Sequence, residues 1–120
     1  MSAHPDVKLL MAICTPAVPG AAEAVKQAGR RDVKVIGLGL PNDNRPFVLE
    51  GITETVILWN TMDLGYLTVH VAAALKNGTL HAGDTQITAG RLGTMQITGD
   101  NVLLGEPFKF DKTNIEKFDF

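Results

Sequence analysis

Three short stretches carry the residue types that could hold a small polar molecule: Cys14 and Thr15, then Pro41, Asn42 and Asn44, then Trp59, Asn60 and Asp63. Together they offer one large aromatic face, a hydroxyl, several amides and a carboxylate. A sugar asks for that mixture, because an aromatic ring stacks on its apolar C–H face while Asn and Asp hold neighbouring hydroxyls through paired donors and acceptors. Taken singly, each residue also has a plainer reading. Asn42, Asp43 and Asn44 suit turn and cap positions, and Trp59 suits a core.

Other chemistries find less support. The run Val35–Pro46, VIGLGLPNDNRP, begins like a dinucleotide loop, with Gly37 and Gly39 after an apolar strand pattern. The third glycine that such a loop needs is replaced by Asn42, and no acid stands at the end of the following strand pattern to meet a ribose. His4, His70 and His81 share no metal-ligand spacing. Cys14, the single cysteine, has no His and acid partners nearby and reads as a small buried hydrophobe. No G-x-S-x-G, H-E-x-x-H or phosphate-loop motif occurs, so we expect neither an enzyme nor a cofactor nor a metal site. A formal charge of −2 with no basic run beyond Arg30-Arg31 argues against nucleic-acid and membrane surfaces.

These residues must be positioned by secondary structure, and 120 residues with 45% hydrophobic content suffice for one ordinary globular domain. Lys8–Cys14 is a continuous apolar run, the pattern of a parallel strand covered on both faces. Val33–Leu38 and Glu54–Trp59 read as further strands. Between and after them lie a helix over residues 16–29, a short helix over Arg45–Leu49 with Pro46 in its first turn, and a helix over Asp63–Lys76. Strand and helix alternation predicts an α/β fold with a Rossmann-like parallel sheet. Every candidate residue then falls at the carboxyl end of a strand, where open parallel sheets bind ligands. From Thr85 onward the pattern changes to short β pieces with a hairpin at Thr98-Gly99-Asp100-Asn101, giving a β-rich C-terminal segment. Asp111 and Thr113 are cap-type residues, and the phenylalanines after them must dock somewhere. The stretch KLLMAICTPAVPGAA is not a secretory signal, because Thr15 and Pro16 break its apolar core.

The runs GLGLPNDNRPFVLEGI, TVILWNTMDLGYLTVHVAAALKNG and AGRLGTMQITGDNVLLGEPFKFDKTNIEKFDF resemble the C-terminal part of periplasmic sugar-binding proteins of ABC importers, within the rhamnose-binding and autoinducer-2-binding group. The resemblance implies part of a type I periplasmic binding protein fold. Residues 1–80 would be a βαβαβα portion of the C-terminal lobe, and 81–120 a hairpin and tail returning toward the N-terminal lobe. It also implies a periplasmic location, an ABC permease as partner, and capture of a rhamnose-like deoxy-sugar or small polyol by lobe closure. Relatives contact ligand near Cys14 and Thr15 and near Trp59 and Asn60, with the PNDNRP loop edging the cleft. Because relatives are much longer, the chain is expected to be a segment that binds sugar weakly or not at all by itself, and to form a homodimer. Two other readings stay open: an effector-sensing domain of a sugar-responsive transcription regulator, and a stand-alone oligomerising α/β module.

Overall fold

The computed structural model describes residues 3–120. Two compact units result: the described residues up to Leu58 together with Phe108–Phe120, and Trp59–Pro107. Residues 108–120 belong with the strands of the first unit.

The first unit is a four-stranded sheet in the order β1-β2-β3-β7, where β1 is Leu9–Ala12, β2 Lys34–Leu38, β3 Thr53–Leu58 and β7 Phe108–Phe110. As the alternation of strands and helices predicts, β1, β2 and β3 are parallel; β7 adds antiparallel to β3, pairing Val56 with Phe110 and Leu58 with Phe108. The crossovers are α1 (Ala17–Gln27) and α2 (Pro41–Leu49). Because the strands run in one spatial direction, right-handed crossovers put both helices on the same face. That face holds the core: Val18, Ala22 and Val25 of α1 and Val48 of α2 close on Ala12, Val35, Val56, Leu58 and Phe110. The other face stays open. Leu9, Met11 and Ile13, which the apolar run had suggested were buried, are 50%, 71% and 76% exposed, and Ile57 is exposed beside them.

Gly37 and Gly39 owe their presence to this packing. A Cβ on Gly37 would lie 2.0 Å from the Ala12 carbonyl oxygen and 2.7 Å from Val18 Cγ2, and one on Gly39 would lie 2.8 Å from Asn44 Nδ2. The two glycines let α1 and the α2 entry approach β2, which is what a dinucleotide-like pair looks like when it serves packing alone.

The aromatic tail folds back onto the same unit. Phe118 packs edge-on to Phe110, with ring centroids 4.7 Å apart, and Phe108 and Phe120 complete the cluster. Asp111 organises the turn before it, accepting from the Thr113 N–H at 2.9 Å and from the Thr113 hydroxyl. The Thr113 hydroxyl and N–H hold the Asp111 carboxyl below its ordinary range.

The second unit contains α3 (Thr61–Lys76) and a three-stranded antiparallel sheet of β4 (Gln86–Thr88), β5 (Thr94–Thr98) and β6 (Asn101–Val102). Thr98 pairs with Asn101 across the expected two-residue hairpin. α3 has a single buried residue, Leu67; Met62, Leu64, Val69 and Leu75 are exposed.

Candidate solute-binding site

In the first unit, β1 ends at Ala12 and the chain turns through Cys14, Thr15 and Pro16 into α1, the Ala17 N–H bonding the Cys14 carbonyl at 3.0 Å. Cys14 is exposed, against the expectation of a buried hydrophobe, because it stands beyond the strand on this turn. Thr15 is half-buried, with its carbonyl beside Gly39. Cys14 and Thr15 therefore stand at the carboxyl edge of the sheet.

The residues after β2 are arranged differently from the sequence reading. The expected loop Pro41-Asn42-Asp43-Asn44 is the first half of α2: Pro41 supplies the preset φ of a first helical position, and Pro46 lies inside the helix. Pro41 and Asn44 are fully buried and offer no surface to a solute. Asn44 donates from Nδ2 to the Leu40 carbonyl at 2.9 Å, and its Oδ1 has no partner among the described residues. Asn42 is exposed, but the tail claims it. Its N–H donates to the Phe120 carbonyl (3.2 Å), its Nδ2 to Asp119 Oδ1 (3.1 Å), and its Oδ1 accepts from Arg45 Nη2 (2.6 Å). Arg45 also donates to the Phe118 carbonyl. One orphan donor of the α2 amino end, the Asn42 N–H, is thus met by the chain's own tail, and Asn42 acts as its clasp.

After β3, in the second unit, the predicted residues remain available. Trp59 is 39% exposed, too open for a core tryptophan. Asn60 is the N-cap of α3, its Oδ1 accepting from the Asp63 N–H at 3.0 Å, which leaves its Nδ2 as a donor. Asp63 lies in the first turn, where the positive helix end favours a carboxylate, and its Oδ1 forms an ion pair with Arg91 Nη2 at 2.6 Å.

Three groups around Asp63 had not been singled out as site residues. Arg91 sits with Cζ 4.5 Å from the Tyr66 ring centroid, its N–H donates to the Tyr66 hydroxyl at 3.3 Å, and the Tyr66 and His70 rings stand 4.5 Å apart. The spacing Asp63, Tyr66, His70 puts three chemistry-bearing residues on one helix face and was visible in the sequence. Arg91 was not, since it arrives from a 3-10 turn at Gly90–Leu92 far along the chain.

No group of His, Cys, Asp or Glu among the described residues has the clustering of a metal site, and no described helix is long and apolar enough to cross a membrane. A cavity of about 570 Å³ lies at the opposite end of the first unit, between the carboxyl ends of α1 and α2. Two of its cations have partners: Lys26 pairs with Glu50 at 2.8 Å, and Lys34 donates to the Gly51 carbonyl at 2.6 Å. Nearby, Arg30 and then Lys8 hold the Asp32 carboxyl well below the carboxylate range. These are helix-end and strand-start contacts, far from the strand ends where a solute would bind.

Comparison with known proteins agrees with the architecture. A model of the periplasmic binding protein domain matches residues 1–80. A solved structure of a sugar ABC transporter from Actinomyces odontolyticus ATCC 17982 is 35% identical with a TM-score of 0.81, over 99% of this chain and 39% of that one. LsrB from Clostridium saccharobutylicum in complex with AI-2 is 27% identical with a TM-score of 0.82, over 99% of this chain and 42% of that one. The chain spans about two fifths of the length of either structure. Its mixed α/β architecture corresponds to a portion of the type I periplasmic binding protein fold. With 80 of its 120 residues matched by the family model, the chain belongs to the periplasmic binding protein domain family.

Proposed function

We propose that the chain is part of a solute-binding protein for ABC-type import of a sugar, a rhamnose-like deoxy-sugar or related small polyol, acting by binding and lobe closure without bond chemistry. The observation that carries this reading is the likeness of almost the whole chain to two solved proteins, one named a sugar ABC transporter and the other an LsrB bound to AI-2. The exposed Trp59 ring and the Asn60 amide after β3 agree with it, as do Cys14 and Thr15 after β1. On this reading the protein works in the periplasm beside an ABC permease. The chain contributes only some of the contacts, so its own affinity is weak, since each hydrogen bond left unmade on a sugar hydroxyl forfeits about 0.5–1.5 kcal/mol. Saturation-transfer NMR on the 120-residue chain with L-rhamnose, L-fucose and D-ribose tests this. Transfer to the ring C–H protons of at least one sugar at millimolar concentration is expected, and micromolar affinity for any of the three would contradict the reading that the chain supplies only part of the site.

The same reading has the chain associate as a homodimer. Support comes from β1, a sheet-edge strand with open backbone groups, and from the exposed Leu9, Met11, Ile13 and Ile57 beside it; edges and apolar faces of this kind recruit partners. Light scattering across a concentration series should show twice the 12.9 kDa of one chain, and a constant mass of one chain would refute the dimer.

A further inference from the structure

α3 carries two kinds of surface. Met62, Leu64, Val69 and Leu75 are apolar and exposed, whereas Asn60, Asp63, Tyr66 and His70, spaced three and four residues apart, form one stripe of hydrogen-bonding groups at its cap and along one side. The 3-10 turn at Gly90–Leu92 docks on that stripe, at Tyr66 and Asp63. Gly90 has φ +51°, and a Cβ there would lie 2.2 Å from the Tyr66 hydroxyl, so only glycine allows the approach. What the docking delivers is Arg91: its guanidinium lies over Tyr66 and pairs with one oxygen of Asp63.

The Arg91–Asp63 ion pair that this docking produces adds little to stability. The Arg91 side chain is 52% exposed, and ion pairs of that exposure contribute little. A glycine held in the left-handed region costs conformational entropy as well. Geometry gives the pair a different use. Asp63 is fixed by Oδ1, and no protein donor reaches its Oδ2 among the described residues; Asn60 is fixed by Oδ1, and its Nδ2 meets no protein acceptor. One turn of helix thus presents an immobilised acceptor and an immobilised donor, with side-chain roots roughly 5–6 Å apart, directly after the exposed Trp59 ring. Two neighbouring hydroxyls of a ring sugar can be met by that combination, one donating to the carboxylate and one accepting from the amide.

We infer that Arg91 is a positioning residue of the sugar site, holding Asp63 so that its free carboxylate oxygen and the Asn60 amide together read a vicinal diol. The inference rests on the sugar-binding reading and adds to it the element of the sugar being read. The experiment is a two-dimensional NMR titration of the full chain with L-rhamnose, L-fucose and D-ribose, comparing the native sequence with Arg91→Ala, Arg91→Lys and Asp63→Asn, and adding 2-deoxy-D-ribose, which lacks one hydroxyl of the diol. Arg91→Ala should shift the Asp63 and Asn60 amide signals before any sugar is added and weaken binding of the best sugar roughly tenfold. Arg91→Lys, which keeps the charge and loses the fork, should fall between, and Asp63→Asn combined with Arg91→Ala should be no worse than either alone. Native affinity retained in Arg91→Ala and Arg91→Lys overturns the inference and leaves the sugar reading standing, as does equal binding of ribose and its 2-deoxy form. Failure of the native chain to respond to any of the sugars overturns both.

Discussion

The two units have similar apolar fractions and use them differently. The first closes a core in which Val18, Val35, Val56, Phe110 and Ile115 are fully buried, assembled from a parallel sheet, two helices on one face and an aromatic tail. The second buries Leu67, Leu80, Ile87 and Ala89 and leaves most of α3 in the open, so its order rests on a short antiparallel sheet and on the Gly90 contact with Tyr66. The contrast shows that apolar content does not by itself predict burial. A helix such as α3, whose apolar residues spread beyond one narrow stripe, does not tell a single neighbour where to pack.

The largest effect that could break this comparison belongs to the core of the first unit. Phe110→Ala removes the ring that joins β7 to β3 and to Phe118, and should lower stability by about 3–5 kcal/mol, read by urea unfolding followed by far-UV circular dichroism. A loss under 1 kcal/mol would mean that the tail is not part of the core. Next comes the contact holding the second unit. Gly90→Ala forces a Cβ into the Tyr66 hydroxyl at a positive φ and should cost about 1–3 kcal/mol there. Hydrogen exchange should quicken over residues 86–98 and stay unchanged in β1, β2 and β3; equal quickening in both units would show that they unfold together.

Much of the first unit was legible in the sequence. The three parallel strands and both long helices stand within about two residues of where apolar periodicity put them, the usual spread of element ends. α2 was half missed, because Asn42, Asp43 and Asn44 are turn formers in isolation. What makes them helical is tertiary: the Phe118 and Phe120 carbonyls and Asp119 meet Asn42 and Arg45, partners over seventy residues away. The same distance explains the site. The place of Trp59, Asn60 and Asp63 after β3 was readable from the alternation of strands and helices, whereas the engagement of Asn42 by the tail and of Asp63 by Arg91 depends on contacts that no local pattern encodes. The open sheet face was also hidden, since a continuous apolar run looks alike whether one face is covered or two.

The smallest effect sharpens the first unit further. Asp32, held by Arg30 and Lys8, has its folded-state pKa below the ordinary value near 3.9. Its contribution is therefore fully present above about pH 4 and is lost as pH falls through the lower folded value. The group is exposed, so Asp32→Asn should only slightly flatten the acid limb between about pH 4 and pH 2, and added salt should shrink the difference. Unfolding midpoints at the two pH values check this; a larger loss in the variant at pH 2 than at pH 5 would reverse the sign.

The central claim is that a sugar is read at the end of β3, and Trp59→Ala tests it most directly. In an NMR titration of the full chain with the best of the three sugars, the substitution should remove the stacking face and weaken binding roughly thirtyfold, about 2 kcal/mol, more than Thr15→Ala or Asn60→Ala does. Unchanged affinity in Trp59→Ala, with the native chain binding, would contradict the account.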